Sequence, residues 1–369
     1  MSEFAKYYYA LSKIKGLGTD SLKKLIKLFG DPQKAWHSEN APPMSSDKNN
    51  IFFNFEAFKK FREKINLDRE WQRIKNAEVE KNIFTIDWHD KDYPKLLKEI
   101  EDAPPILFYQ GDRKLFSHPL KIAMVGTRLC NHYGETQSKL LAGALGQSGF
   151  CVVSGMAQGV DGIAHQSVLE THGKTMGVLG HGHHFIYPAA HKSLFKQMHE
   201  KGLLVSEFAP WIEANTWTFP KRNRLISGLS MGVVIIQGSA KSGSMITARH
   251  ALDQNREVFA LPGPIDQEIS EGPNRLIQQG AKLIQNPNDI LEEFKLSYPE
   301  ANFQEPKPLP LLTTEEKNIL DLMNADPVGI DLLMAKTGLN LGALSLKLIE
   351  LEKKSLIQLR PGKYYIKTC

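Results

Sequence analysis

Ile122-Ala123-Met124-Val125-Gly126-Thr127-Arg128-Leu129 is followed by Leu140, Leu141, Ala144 and Leu145 at helical spacing. Next comes Cys151-Val152-Val153-Ser154-Gly155-Met156-Ala157-Gln158-Gly159-Val160-Asp161. An unbroken apolar run, an amphipathic stretch and a second unbroken run form the pattern of a βαβ unit. Strands covered on both faces of a parallel sheet lose the polar alternation of half-exposed strands. The texture recurs at Met176–Leu179, Leu203–Val205, Val233–Ile236, Val258–Leu261 and Leu283-Ile284. It predicts an α/β fold with an open, doubly wound, mainly parallel sheet and right-handed crossovers. Ligands should gather at the carboxyl ends of its strands.

The flanks read differently. Residues 1–115 are helix-like, Lys-rich and apolar-periodic, with a polar break over Ala41–Asp47, and predict a small all-α domain. Within it Ile14-Lys15-Gly16-Leu17-Gly18 precedes a helical pattern closed by Gly30, as in helix-hairpin-helix modules. That glycine turn either faces a DNA phosphate or packs the hairpin. The sheet domain occupies 116–295, and 296–312 reads as a linker carrying Pro299, Pro306, Pro308 and Pro310. In 313–369, Thr313-Thr314-Glu315-Glu316 resembles a capping box. Two further helical patterns and a hairpin around Pro361-Gly362 complete a winged-helix pattern.

Composition narrows the function classes. With 41% hydrophobic and 24% charged residues in 369, a wholly disordered chain is excluded. No run approaches the ~18 apolar residues of a membrane span, and the first residues lack a signal-peptide layout. Three cysteines are an odd number without metal-like spacing, which argues against a disulfide framework. The expectation is a soluble, cytoplasmic protein. A net charge of +5 permits a polyanionic partner.

Four strand-to-helix loops carry the candidate chemistry. After the first strand, Gly126-Thr127-Arg128 offers one glycine where a dinucleotide fold needs three, so a nicotinamide or flavin cofactor is not expected. Arg128 instead brings a forked cation to the sheet edge, to bind an anion or to pair with an acid. In the second loop, Gly155 and Gly159 suit either an anion cradle or a tight turn. Asp161 reads as the cap of the helix carrying His165, and His165 as a packed histidine. The third loop, Thr216-Trp217-Thr218-Phe219-Pro220-Lys221-Arg222-Asn223-Arg224, interleaves cations with aromatics, which suits phosphates and stacked bases. The fourth places Lys241, Ser242, Gly243 and Ser244 at a helix start but lacks the Walker spacing, so ATP hydrolysis is not expected.

A strip of such loops fits a polyphosphate backbone better than one mononucleotide. His181, His183 and His184 lack the acid or cysteine that would complete a metal set, and no metal is expected. No nucleophile with an oriented base is visible, so no catalytic residue is assigned.

Taken together, these motifs resemble the DNA-processing protein A family (DprA, also called Smf). The carriers are Gly126-Thr127-Arg128, Ser154–Ala157 with Gly159-Val160-Asp161 and Ala164-His165, and Tyr187-Pro188. Further along are Phe219–Ser230, Ser242-Gly243-Ser244 with Thr247-Ala248-Arg249, Leu261-Pro262-Gly263, and Asn274 with Leu276-Ile277 and Gly280-Ala281. The resemblance implies a sterile-alpha-motif-like first domain, an extended Rossmann domain and a winged helix. It further implies a non-catalytic mediator that binds incoming single-stranded DNA during natural transformation and loads RecA, commonly as a homodimer. Under it, Leu276, Ile277 and Leu283 are dimer candidates, with Leu276 and Ile277 expected to be exposed. The winged helix could add a weak double-stranded DNA contact.

Departures from the family pattern are Gln158 for Arg, His191 for Asn, Gln237 for Glu, and the histidines of 181–184. The competing reading is a nucleotide-processing Rossmann enzyme of the phosphoribohydrolase type. The fourth loop lacks the glutamate which that chemistry needs.

Overall fold

The protein is described from a computed structural model, over residues 2–39, 55–296, 312–323, 327–354, 356–360 and 362–367. The polar break at 41–47, the linker prolines and Cys369 lie outside the described residues. Two compact units result, the first from the chain up to Leu296 and the second from Ser297 onward, with Asn131–Tyr133 grouped with the second.

The first unit is built on a nine-stranded sheet. In chain order its strands are β1 (Phe84–Asp87), β2 (Ile106–Gly111), β3 (Lys121–Val125), β4 (Cys151–Ser154), β5 (Lys174–Val178), β6 (Leu203–Ser206), β7 (Gly232–Ile235), β8 (Glu257–Ala260) and β9 (Lys282–Leu283). Their spatial order is β1-β2-β6-β5-β4-β3-β7-β8-β9. From β6 through β9 every neighbouring pair is parallel. Each apolar run read as a strand is one, and every residue of β3, β4, β6 and β7 is buried. Burial on both faces explains why these runs carry no alternation.

The boundary at 115/116 needs correction. β1 and β2 precede it, yet β2 pairs antiparallel with β6, and β1 pairs antiparallel with β2. The helices Ala5–Ser12, Thr19–Phe29 and Leu67–Lys81 share one hydrophobic core with these strands. Tyr9 meets Phe108 edge-on at 6.3 Å. The helical region is therefore packed on the sheet's antiparallel end.

The second unit has a helix at Thr314–Asp321, strand β10 (Val328–Gly329), helices Ile330–Thr337 and Leu341–Lys353, and strands β11 (Ile357–Arg360) and β12 (Tyr364–Lys367). The strands pair in the order β10-β12-β11. Thr313 and Glu316 form the expected capping box, satisfying two of the orphan amides at the helix start. Ile319, Leu333, Leu344, Leu348 and Leu351 fill its core. Three helices and a small antiparallel sheet in this order are a winged helix. Among the described residues no single helix is long and apolar enough to cross a membrane.

Candidate nucleic-acid interface

β3 lies between β4 and β7, so the chains leaving β3 and β4 turn away from the one leaving β7. A doubly wound sheet opens a crevice at such a switch point. Here it is a cleft of about 540 Å³. Its walls are Thr127–Leu129 after β3, Ala157 and Asp161 after β4, Tyr187 after β5, and Ser242–Ser244 after β7. The Thr218–Gly228 helix contributes Phe219, Arg222 and Asn223.

Arg128 is exposed, and its guanidinium lies 5.5 Å from the centroid of the Phe219 ring. Phe219 in turn meets Tyr187, ring centroids 5.4 Å apart and tilted by 41°. Arg128 makes no ion pair among the described residues. The exposed Lys241 makes neither an ion pair nor a hydrogen bond there. Ser242 caps the Gly243–Asp253 helix, accepting from the Ser244 amide. That helix start opens on the cleft, where its amide end favours negative charge.

The loop after β4 does not cradle an anion through Gly155. The Gly155 amide donates to Asp161 Oδ2 at 3.0 Å, and the Ala157 amide to the same oxygen at 3.4 Å. Asp161 is thus not the helix cap; that position is Gly159, and the carboxylate reaches back to close the loop. Gly159 is required by its φ of +72° and by packing. A Cβ there would lie 2.7 Å from the Arg128 carbonyl carbon. Its role is to let this loop pass beneath the backbone of Arg128.

Arg222 is another correction. Only 4% exposed, it donates through Nη1 to the carbonyl oxygens of Gly155, at 2.6 Å, and of Val178. Its Nε donates to Asn223 Oδ1 at 3.1 Å, and Asn223 Nδ2 donates to the Gly243 carbonyl at 3.2 Å. These two side chains lash together the ends of β4 and β5 and the helix after β7. Burial lowers the Arg222 guanidinium to about 10, against the pull of Asp161, so it stays charged at neutral pH beneath the cleft. Burial pushes Asp161 up, opposed first by Arg222 and then by the two amides.

Lys221 and Arg224 point away from the cleft. Arg224 pairs with Glu207 and, at 2.9 Å, with Asp102, while Lys221 approaches Glu207 at 3.7 Å. Trp217 is exposed but also outside the cleft walls, edge-on to Phe208 at 5.9 Å. His165 is packed as expected. Its Nδ1 is 2.6 Å from Thr175 Oγ1, and burial lowers its pKa to about 3. Leu276, expected on the surface, is 5% exposed in the core; Ile277 is half-buried against that core, and Leu283 is exposed.

Tyr187 lines the cleft, although its residue type and spacing announce no chemistry. The signal in the sequence is the Tyr187-Pro188 pair, one of the motifs that carry the family resemblance. Leu129 and Ile246 also line the cleft and are exposed, which no polar motif announces.

An open switch-point cleft walled by an exposed arginine, an aromatic pair and a helix start, in a chain that also carries a winged helix, defines a Rossmann-like protein with a candidate anion-binding edge. A family model described as DNA recombination-mediator protein A matches residues 84–295, and one described as DprA winged helix domain matches 303–363. The chain belongs to the DNA recombination-mediator protein A family. It is 44% identical over 236 residues to DNA processing protein DprA of Bacillus subtilis, covering 64% of this chain and 78% of that one. It is 39% identical over 285 residues to protein Smf of Escherichia coli, covering 74% of each.

Among solved structures, DNA processing protein A from Streptococcus pneumoniae superposes with a TM-score of 0.66 at 32% identity, over 79% of this chain and 99% of that one. The Helicobacter pylori protein, described for its single-stranded DNA binding mode, gives 0.53 at 33% identity, over 58% and 95%.

Proposed function

We propose that this chain is a single-stranded DNA-binding recombination mediator, holding the strand along the switch-point cleft and delivering it to RecA during natural transformation. The observation that carries this reading is the contrast in charge pairing. Arg128, beside the aromatic pair, and Lys241, just before the amide-rich helix start and outside the cleft's lining, are exposed without acidic partners among the described residues. Phosphates meet the cations and the helix start, and bases meet the rings.

The mediator acts without catalysis. Of the cleft walls, the carboxylate is Asp161, and its Oδ2 already serves two amides, which leaves it poorly placed for the glycosidic chemistry of a phosphoribohydrolase. Assembly is as a homodimer, with the exposed Leu283 and the half-buried Ile277 as the contact candidates in place of buried Leu276. The winged helix adds a weak double-stranded contact.

The test is titration of the full chain with matched single- and double-stranded oligonucleotides at two salt concentrations. Tighter, salt-dependent binding of the single strand is expected. Equal or stronger binding of the duplex would refute the reading.

A further inference from the structure

The segment Gly180–His184 follows β5 and is laced to the chain that leads into the Thr218–Gly228 helix. Ser206 Oγ donates to the His181 carbonyl at 2.7 Å, the Gly182 amide to Ile212 at 2.7 Å, and the His184 amide to Pro210 at 2.9 Å. The ring of His183 sits 3.1 Å from both the Phe108 carbonyl and Gln110 Oε1, while His181 stacks on Phe195. The histidines turn to separate partners and stitch the segment in place.

Gly180 itself lies against the ring of Phe219. A Cβ on Gly180 would stand 2.6 Å from Phe219 Cδ1 and 3.0 Å from Cε1, closer than carbon atoms can pack. Its φ is outside the left-handed region, so the backbone accepts alanine and the ring alone opposes it. Tyr187 and Arg128 stand 5.4 and 5.5 Å from the same ring.

We propose that Gly180 is a positioning residue of the strand-binding cleft: its bare backbone seats the Phe219 ring beside Tyr187 and Arg128, and the stitched histidine segment keeps that seat rigid. This rests on the proposed function, in which Phe219 stacks on a base. A side chain at 180 drives the ring out of its place in the cleft wall without touching the DNA.

The test is a double-mutant cycle on full-length protein, reading single-strand affinity and, separately, thermal stability. Phe219→Ala should weaken binding about 5- to 150-fold, the range for removing one base stack. Gly180→Ala should weaken it at least about fivefold, and Gly180→Ala/Phe219→Ala should bind no worse than Phe219→Ala, since neighbours sharing one function are not additive. Gly232→Ala, in β7 and outside the stitched segment, is the control: its Cβ would stand 2.8 Å from the Phe259 ring, so any loss it causes should add to that of Phe219→Ala.

If Gly180→Ala does not fold, the proposal requires that the double variant regain stability, because the clash leaves with the ring. Wild-type affinity in Gly180→Ala, additive losses, or a double variant that also fails to fold would overturn the proposal and leave the proposed function standing. Wild-type affinity in Phe219→Ala would overturn the stacking reading, and the proposal with it.

Discussion

The two sides of the Thr218–Gly228 helix carry similar residues to opposite ends. On the cleft side, Phe219, Arg222 and Asn223 face the switch point; on the other, Lys221 and Arg224 are committed to Glu207 and Asp102. The difference teaches that a cluster of cations in sequence says nothing about which of them is available. Availability is set by acids that the fold brings in. Arg128 and Lys241, isolated in sequence, face solvent with no acidic partner among the described residues.

Breaking the outer side should give the largest effect. Glu207 and Arg224 are 7% and 8% exposed, so Arg224→Ala leaves a buried carboxylate without its main partner. A loss of about 3–5 kcal/mol in urea denaturation is expected, the cost of breaking one half of a buried pair. The salt dependence of single-strand binding should not change. A stable variant with a flattened salt slope would place Arg224 on the DNA instead, and the contrast between the two sides would collapse.

Acid sharpens the same contrast, because the stitches beside the cleft are buried and neutral. Burial lowers His183 from 6.5 to about 4. An unfolded chain therefore takes up this proton before the folded one does. Stability from His183 is fully present above pH 6.5, falls as pH drops, and is lost through pH 4. The contribution is at most about 3.5 kcal/mol, from about 1.4 kcal/mol per pH unit. His183→Asn should flatten the stability–pH curve over that window, read by denaturant midpoints. An unchanged slope would show that His183 does not titrate there.

Much of this fold was legible because the strands from β3 to β8 are largely buried runs that look alike wherever they occur. β1 and β2 were not legible as part of it. β1 is a four-residue edge strand, and β2 joins β6 antiparallel with no crossover helix to mark it. At the site, residues from all four motif stretches do line one cleft, but Thr218–Arg224, read as part of a loop, is the start of a helix. Motif order did not reveal that Asp161, six residues beyond Gly155, takes the amide expected to face an anion. Nor did it show that Glu207, 17 residues before Arg224, neutralises it. Both outcomes depend on where side chains turn once the loops are folded. Leu276 misled for a related reason: its helix, Glu268–Gln278, is amphipathic, and the face it uses is settled by what lies beneath.

The smallest expected effect is also the most direct test of the central claim, that Arg128 and Lys241 hold phosphates of an unpaired strand. The measurement is the slope of log K against log salt for full-length protein on a homopolymeric single strand, compared with Arg128→Ala/Lys241→Ala. Each phosphate left without its cation should reduce the slope by about 0.7, so the double variant should fall by about 1.4 with folding intact. A slope equal to that of the wild type would contradict the account.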